Sequence, residues 1–417
     1  MDELILDILQ QLRANSQGAL DAHQLEVLLN SHNSGINSSI NSSDRKKLIP
    51  KRAILPYFLR VKDQNTKLWR SWNVTPELEA RFIQSVRMKP RRTASGVATI
   101  TVITRPHTCS SNCIYCPCDL RMPKSYIANE PACQRAELAF FDPYIQVAAR
   151  LQALHQMGHS TDKIELIVLG GTWSDYPASY QYWFIRELFR ALNEWPHSPQ
   201  HIEKRTDWYR SFGLQNTEEA LSSFVAYRQR TINAGAATYN QAFHELYDSS
   251  QAHQKAWSHM CATFDDLLEQ QHRNETAACR VVGLVIETRP DTITPDNLRM
   301  FRQLGCTKIQ IGIQSTRQEI LDANLRHMTV AQIKRAFSLI RLYGFKIHSH
   351  LMVNLLGATP EEDKRDFNNF VTDPGFLPDE IKLYPCALVA GTQLVKAYRE
   401  GLWRPYSKDE LVNVLVH

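Results

Sequence analysis

The feature that most constrains the fold is an alternation of short apolar runs with amphipathic segments, repeated six times. The runs predict buried strands, and the segments between them have apolar residues at helical spacing. The predicted strands are Ala98–Thr104, Lys163–Gly170, Arg280–Thr288, Lys308–Gln314, Phe345–Leu355 and Glu380–Leu388. Strands that alternate with helices form parallel sheets with right-handed crossovers. Six such units predict an α/β fold, a partial (βα)6 barrel rather than the closed barrel of eight.

Two kinds of segment lie outside this alternation. Residues 1–31 have apolar positions at helical spacing and predict N-terminal helices, whereas the Ser- and Asn-rich residues 32–43 predict a flexible linker. Residues 194–278 are polar, helix-prone and without strand patterns. They are too many for an ordinary connection, so they predict a helical insertion within a barrel domain of residues 93–392.

The first predicted strand leads into a loop with four cysteines, HTCSSNCIYCPCD. Cys109, Cys113 and Cys116 have the spacing C-x3-C-x2-C, and Tyr115 directly precedes the third. Three thiolates this close on one loop can cap three irons of a 4Fe–4S cube and leave the fourth iron open. The alternatives are a structural zinc knot and chance clustering. Zinc normally takes four ligands in two separated pairs, and Cys118, directly after a proline, is a poor fourth ligand.

Other candidate residues also follow predicted strands, and functional side chains of parallel barrels lie at the carboxyl ends of the strands. A glycine pair, which lets a ligand approach the backbone closely, ends strand two. Its structural alternative is a tight turn, and the alternative for Glu287 and Arg289 is an ion pair. The candidates are Gly170, Gly171 and Thr172 after strand two, Glu287 and Arg289 after strand three, Gln314 after strand four, and Lys382 and Tyr384 on strand six.

The stretch 44–92 is strongly basic. It has 14 Lys and Arg against 4 Asp and Glu, a net charge of +10 in a chain whose net charge is +5. Basic residues neutralise phosphates and planar side chains stack on unpaired bases, so the stretch predicts contact with nucleic acid. Taken singly, its aromatic residues are expected to pack inward. These are Tyr57, Phe58, Trp69, Trp72 and Phe82.

Composition excludes several classes of protein. No apolar run reaches the roughly 20 residues of a membrane span, and the acidic, amphipathic N-terminus is not a signal peptide. Nine cysteines, four of them in one loop, fit a reducing interior better than a disulfide framework, so we expect a cytoplasmic protein. The cysteines outside the loop are expected to be plain buried thiols: Cys133, Cys261, Cys279, Cys306 and Cys386.

The cysteine spacing, with an aromatic residue before the third cysteine, resembles the radical S-adenosylmethionine (SAM) superfamily. This resemblance implies a 4Fe–4S cluster whose open iron chelates SAM, and an electron from the cluster that cleaves SAM to a 5'-deoxyadenosyl radical. The glycine-rich turn after strand two resembles a superfamily motif. The SAM contacts that the resemblance implies are Tyr115, Gly170, Gly171, Thr172, Glu287, Arg289 and Gln314.

Long blocks in the right order, from ATITVITRPHTCSSNCIYCP to EIKLYPCALVAGTQLVKAYREGLWRPYS, resemble the catalytic subunit of Elongator in its bacterial and archaeal stand-alone form. The resemblance runs roughly from Lys89 to the C-terminus, apart from the insertion. It implies a tRNA-modifying enzyme that adds an acetyl-CoA-derived carboxymethyl group to carbon 5 of the wobble uridine. The deoxyadenosyl radical would take hydrogen from the acetyl methyl group, and the resulting carbon radical would add to carbon 5. Oxidation of the adduct and hydrolysis of the thioester would then leave the carboxymethyl group.

The same resemblance implies roles for further residues. Lys163 matches a lysine that contacts acetyl-CoA and is expected to act in binding and catalysis, and Lys382 and Tyr384 are expected to orient the substrate or the acetyl group. The implied partners are acetyl-CoA and the anticodon stem-loop of tRNA, with no membrane partner; a homodimer is left open. The expected tRNA contacts are Arg45, Lys46, Lys47, Lys51, Arg52, Lys89, Arg91 and Arg92.

The sequence departs from the family at its end. It stops at DELVNVLVH, where the family continues into an acetyltransferase-type domain. Residues 393–417 are therefore expected to be a C-terminal helix and the start of a connection to that domain. Two rival functions stay open: a radical SAM enzyme with a different substrate, and a non-catalytic tRNA-binding scaffold with a structural cluster.

Overall fold

A computed structural model describes residues 1–15, 18–37 and 48–417. These residues divide into two compact units, which are described separately. The first unit comprises Met1–Ala98 and Ala149–Lys163, and the second comprises Thr99–Ala148 and Ile164–His417. The predicted tRNA contacts Arg45, Lys46 and Lys47 lie outside the described residues.

The first unit is helical, and its core is built by the basic stretch together with the N-terminal helices. Its helices are α1 (Asp2–Ala14), α2 (Ala22–Asn37), α3 (Ile54–Gln64), α4 (Thr66–Ser71) and α5 (Pro76–Val86). Phe58, Trp72 and Phe82 are buried, and the rings of Phe58 and Phe82 stack with centroids 4.0 Å apart. These aromatic residues therefore pack inward, as expected for them singly, whereas most of the described Lys and Arg side chains of the stretch are exposed.

Helix α2 continues into the segment that was predicted as a linker. The linker prediction began at residue 32, but the helix ends at Asn37, and residues 38–43 of that prediction lie outside the described residues. Tertiary hydrogen bonds explain the extension: His32 bonds Asp7 at 2.7 Å, and Asn33 bonds both backbone groups of Ile49, at 2.9 and 3.2 Å. Ser- and Asn-rich composition lowers helix propensity, but such contacts override it.

The second unit contains a six-stranded sheet whose strands lie in sequence order, β1 to β6. The strands are β1 (Ala98–Ile103), β2 (Lys163–Leu169), β3 (Arg280–Thr288), β4 (Lys308–Gln314), β5 (Lys346–Val353) and β6 (Glu380–Pro385). Pairing is parallel from β3 to β6, with His350 of β5 opposite both Gly312 of β4 and Lys382 of β6. The predicted α/β partial barrel is confirmed, and it places the carboxyl ends of the strands at one edge.

Helices connect the strands, and two more helices follow β6. The connecting helices are α6 (Pro131–Leu138), α7 (Pro143–Gln156), α8 (Ala178–Asn193), α14 (Pro295–Gln303), α15 (Gln318–Ala323), α16 (Val330–Leu342) and α17 (Pro360–Thr372), and those after β6 are α18 (Leu394–Arg399) and α19 (Lys408–Leu415). Residues 194–278, all of them described, contain helices and no strand, as predicted for the insertion. They form α9 (Pro199–Ser211), α10 (Glu218–Asn233), α11 (Tyr239–Phe243), α12 (Gln251–Ser258) and α13 (Phe264–Asn274).

Candidate active site

The cysteine loop, residues 104–125 between β1 and α6, lies at the carboxyl end of the sheet and contains neither helix nor strand. Cys113 and Cys116 are buried, with 7% and 8% exposure, whereas Cys109 is partly exposed. All three line one cavity, together with Tyr115. The loop therefore presents the three predicted thiols to a common space.

The Cys113 thiol lies among cationic and hydroxyl groups. Arg326 Nη1 is 3.4 Å and Arg289 Nη1 is 3.8 Å from its Sγ, and the Ser111 hydroxyl is 3.1 Å away. Burial by itself raises the pKa of this thiol, but Arg326, Ser111 and Arg289 outweigh burial and lower the pKa to about 7. A thiolate, the form that binds iron, is therefore favoured at this position.

Cys116 and Cys118 differ from Cys113. Burial raises the pKa of Cys116, although Lys124 lowers it, and the Ser125 hydroxyl is 2.9 Å from the sulfur. Cys118 is turned away, because its thiol donates to the Cys116 carbonyl at 3.3 Å and does not line the cavity. This placement agrees with its exclusion from the predicted ligands.

The glycine turn after β2 has a distinct reason for each residue. An ideal Cβ at Gly170 would lie 1.9 Å from Thr104 Oγ1, so only glycine allows this approach. Gly171 has φ 74° and lines the cavity together with Thr172, whose hydroxyl is 3.6 Å from Cys109 Sγ. Gly171 and Thr172 therefore reach the site directly, and Gly170 contributes through packing.

Glu287 and Arg289 line the cavity but do not pair with each other. Tyr126 donates to Glu287 at 2.5 Å, and burial, only partly offset by Tyr126 and Lys382, raises the pKa of that carboxyl. Arg289 instead makes two hydrogen bonds to Asp291, at 2.9 and 3.0 Å. The alternative of a Glu287–Arg289 ion pair is therefore wrong.

Gln314 ends β4 in an unusual backbone conformation. Its φ is 75°, in the left-handed region that non-glycine residues rarely adopt, and the register with β5 shifts between Gly312 and Gln314. Both residues line the cavity. The irregular strand end thus directs Gln314 to the predicted site, at a cost of about 1–3 kcal/mol in backbone strain.

Lys382 and Tyr384 lie on β6 beside a buried histidine. Lys382 is opposite His350 in the register, and the Tyr384 ring is 5.3 Å from the His350 ring. Burial, then Lys382, lowers the pKa of His350 to about 3, so its imidazole is neutral. The Nδ1 of His350 is 3.9 Å from a carboxylate oxygen of Glu287, which lines the cavity. His350, Lys382 and Tyr384 therefore lie next to the cavity.

Two sets of predicted residues are not part of the cavity. Lys163 is the exposed first residue of β2, whereas the cysteine loop lies at the carboxyl ends, roughly 20 Å along a seven-residue strand. The described basic candidates belong to the first unit. Lys51 is partly exposed, and the exposed ones are Arg52, Lys89, Arg91 and Arg92.

The residues present fit a 4Fe–4S cluster better than a single ion. Within residues 1–15, 18–37 and 48–417, no three His, Cys, Asp or Glu side chains converge on one metal position, which disfavours the zinc alternative. A cube differs because each thiolate binds a separate iron. Three buried polar atoms on the cavity wall also lack hydrogen-bond partners among the described residues: Tyr115 Oη, Gln314 Oε1 and Arg326 Nε. Buried polar atoms normally have partners, so these indicate a bound group.

Sequence reasoning missed several residues of the site. Arg326 lies 213 positions from Cys113 in an irregular loop, and no local pattern marks it. Lys124 lies within the cysteine loop and Tyr126 directly follows it, so their proximity in sequence was a usable signal. One of the cysteines expected to be buried, Cys261, is exposed, since it follows α12 at the surface of the insertion.

No helix in the described part of the chain has the length and apolar character needed to cross a membrane.

Comparisons with known proteins give a consistent family. Residues 259–368 match the model of the radical SAM superfamily, and residues 378–417 match the radical SAM C-terminal domain.

Curated relatives extend the similarity over most of the chain. The chain is 33% identical over 347 residues to a tRNA uridine(34) acetyltransferase of Methanocaldococcus infernus, and the match covers 82% of this chain and 52% of that protein. It is 29% identical over 353 residues to Elongator complex protein 3 of Bos taurus, again covering 82% of this chain and 52% of that protein. The chain thus spans about half the length of the curated relatives it matches.

A solved structure agrees with these relatives. Elp3 of Methanocaldococcus infernus with an N-terminal deletion aligns with a TM-score of 0.51 at 29% identity, covering 77% of this chain and 53% of that one. The sequence blocks, the six-stranded sheet and the cysteine cavity therefore point the same way. The chain belongs to the radical SAM superfamily and, within it, to the Elongator catalytic subunit family.

Proposed function

We propose that the chain is a radical SAM enzyme that modifies the wobble uridine of tRNA. The observation that carries the proposal is the cavity at the carboxyl ends of the strands, which Cys109, Cys113 and Cys116 line together with unpartnered polar atoms. The names of the relatives support the substrate class, since they are called tRNA uridine(34) acetyltransferase and Elongator complex protein 3.

The chain's own residues have distinct tasks in this proposal. The three cysteines hold a 4Fe–4S cluster, which when bound supplies the electron that cleaves SAM to a 5'-deoxyadenosyl radical. Arg326 keeps Cys113 in its thiolate form by charge. The cavity wall offers the polar partners for SAM, with the backbone of Gly171 approachable because it has no side chain. These partners are Gly171, Thr172, Glu287, Arg289 and Gln314, with Tyr115 in the cavity wall and Gly170 supporting the turn.

The modification itself we propose to be carboxymethylation of carbon 5, with acetyl-CoA as the two-carbon donor. Lys382 and Tyr384 lie beside Glu287 and His350, close to the cavity, and orient the substrate or the acetyl group. Lys163, at the opposite end of β2, is suited to contact coenzyme A away from the reacting carbon.

We further propose that the basic stretch contacts the anticodon stem-loop of tRNA. Its aromatic side chains are largely committed to the core, so its contribution is electrostatic rather than base stacking. The contacts are Lys51, Arg52, Lys89, Arg91 and Arg92, together with Arg45, Lys46 and Lys47.

The test uses anaerobically reconstituted, reduced protein with SAM, acetyl-CoA and unmodified tRNA, and follows 5'-deoxyadenosine by chromatography. We expect deoxyadenosine from the wild type and none from the Cys109/Cys113/Cys116→Ala variant, while the Cys118→Ala control keeps the activity. Stimulation by tRNA supports the substrate class.

SAM cleavage that is indifferent to tRNA would instead favour another substrate. A loaded cluster that cleaves no SAM would favour the tRNA-binding scaffold. Mass spectrometry of nucleosides from the treated tRNA then identifies the group added to the uridine.

A further inference from the structure

We propose that the helical insertion, residues 194–278, is the clamp that fixes the shape of the cysteine loop, and that Asn240 is its positioning residue for Cys109. The inference rests on the proposed cluster site, because it assigns to the insertion the placement of cluster ligands. Nothing in the insertion lines the cysteine cavity, so this role is mechanical rather than chemical.

The loop needs such support because it lacks secondary structure. Residues 104–125 form no ladder with the sheet, yet most of the loop is at least partly buried. Buried backbone N–H and C=O groups must find partners, and in an irregular segment these come from side chains or from the backbone of other segments. The segments that supply those partners therefore help to hold the cysteines in place.

Asn240 of α11 supplies both partners for a ligand residue. The Cys109 N–H donates to Asn240 Oδ1 at 3.1 Å, and Asn240 Nδ2 donates to the Cys109 carbonyl at 2.8 Å. The carboxamide thus pairs with the backbone of Cys109 in the way a neighbouring strand would. Because Cys109 is the most exposed of the three cysteines, it gains the most from this restraint.

Gln229 of α10 repeats the arrangement at the other end of the loop. Its Oε1 accepts from the Leu120 N–H at 2.9 Å, and its Nε2 donates to the Cys118 carbonyl at 3.0 Å. The two amide side chains therefore hold the backbone just after the third cysteine as well as at the first.

Two buried tyrosines of the insertion also bond the backbone of the loop after the third cysteine. The Tyr247 hydroxyl donates to the Leu120 carbonyl and the Tyr239 hydroxyl to the Met122 carbonyl, both at 2.7 Å. Both rings are almost fully buried, so their hydrogen bonds do not compete with water.

The insertion also restrains the start of the loop. The Arg105 guanidinium lies 4.0 Å from the ring centroid of Trp257 on α12. Such a cation–π contact is worth more when desolvated, and burial lowers the pKa of Arg105.

The barrel holds the middle of the loop and also the residues that directly follow β1. Ser110 N–H donates to Asp175 at 2.9 Å, Ile114 N–H donates to the Asn324 carbonyl at 3.3 Å, and Leu394 N–H donates to the Ile114 carbonyl at 2.9 Å. The insertion therefore bonds the backbone of Cys109 itself and the backbone after the third cysteine, whereas the barrel bonds the start and the centre of the loop. Removing the insertion's contacts should free Cys109 while leaving Cys113 in place.

The experiment compares Asn240→Ala with the wild type in the full-length chain after anaerobic reconstitution. Residues that orient metal ligands typically change metal affinity 10–100-fold when mutated. We expect iron to be lost to a chelator about 10–100-fold faster from Asn240→Ala, with an altered EPR spectrum of the reduced cluster. Asn240→Asp keeps the acceptor for the Cys109 N–H and should fall between the two.

The matched control is Thr217→Ala, which removes the N-cap of α10 in the same insertion without touching the loop. It should retain iron like the wild type. Hydrogen exchange on the iron-free chain gives a readout independent of the cluster: the amide of Cys109 should lose protection in Asn240→Ala, and that of Ile114 should not.

The outcomes separate the two proposals. A wild type that binds no iron would overturn the proposed function itself. Iron loss, EPR spectrum and Cys109 exchange that are unchanged in Asn240→Ala, from a wild type that loads its cluster, would overturn the clamp alone. Equally fast loss from Thr217→Ala would also overturn the assignment to Asn240, because it would show a general loosening of the insertion.

Discussion

Arginine side chains of the two units lie in opposite environments. In the basic stretch of the first unit, cations such as Arg91 and Arg92 are exposed, and the core beneath them is aromatic and apolar. In the second unit, Arg289 and Arg326 are buried at 7% and 5% exposure against a thiol. The difference teaches that an arginine's role follows from what it touches: exposed cations attract a polyanion from solution, whereas buried ones set the ionisation of a neighbour.

The largest effect should come from the apolar core of the first unit. Phe58→Ala removes a fully buried ring that packs on Trp69, Trp72 and Phe82, and should lower the free energy of unfolding by about 4 kcal/mol. Urea denaturation monitored by tryptophan fluorescence measures this loss. Val27→Ala, an exposed apolar residue of α2, is the control and should change stability by less than about 0.5 kcal/mol. An equal loss in both variants would contradict the packing of the aromatic residues.

Removing a buried cation from the second unit should cost somewhat less. Arg326→Ala deprives the Cys113 thiolate and the Gly312 carbonyl of a donor and should destabilise the iron-free chain by about 3 kcal/mol. The loss is limited because the thiol can take up a proton and become neutral. Arg404→Ala breaks an exposed pair with Glu410 and should change stability much less, because water screens that pair.

If urea denaturation gives the same small loss for Arg326→Ala and Arg404→Ala, burial of Arg326 does not determine its role. The reactivity of Cys113 towards an alkylating reagent across pH gives a second measure. In Arg326→Ala, the pH at which this thiol becomes reactive should move upward.

Asp363 sharpens the comparison, because it is a buried acid without a cationic partner in its hydrogen bonds. Burial raises the pKa of this carboxyl to about 6, although the Asn354 N–H and the Tyr406 hydroxyl donate to it. A pKa raised above its unfolded value gives stability that is full below about pH 4 and is lost as pH rises through 6. Between these limits the wild type should lose roughly 3 kcal/mol relative to Asp363→Asn.

Denaturation curves of the two proteins at several pH values test this expectation. Asp63→Asn, an exposed residue near the end of α3, is the control and should follow the wild type at every pH. Parallel pH profiles for wild type and Asp363→Asn would mean that the carboxyl is not penalised by its burial.

The smallest effect on stability, and the clearest on binding, is expected from the exposed cations. Arg91→Ala/Arg92→Ala should leave unfolding unchanged within about 0.5 kcal/mol. If both contact phosphates, the slope of log Kd against log salt for tRNA should fall by roughly 1.4–1.8. Fluorescence anisotropy at three salt concentrations measures it, with Arg335→Ala on α16 as the exposed control. An unchanged slope would remove these two residues from the tRNA contacts.

The order of elements was predictable because it is written in local patterns. The bounds of β3 and β4 agree with the apolar runs, and the cysteine spacing led directly to the three thiols of the cavity. Gln314 was predictable from its place at a strand end, but its left-handed backbone was not, because glutamine rarely adopts it.

Residues that act through distant contacts were not predictable. Asn240 lies 131 positions from Cys109, within a polar segment where an asparagine carries no distinguishing signal. Arg326 is equally unmarked among the chain's 48 Lys and Arg. Local composition also misled at α2, because the bonds that extend that helix come from residues far along the chain.

The contact between Gly170 and Thr104 has a consequence for motion. Because the space between Gly170 and Thr104 is too small even for a methyl group, the carboxyl ends of β1 and β2 pack tightly and should move together. β6, the other edge strand of the sheet, pairs on one side only, as β1 does, and its Tyr384 is 40% exposed. In the proposed function, a tRNA that reaches the cavity therefore meets a tightly packed edge at β1 and a more exposed edge at β6. Local opening of the site should begin at β6, on the side that carries Lys382 and Tyr384.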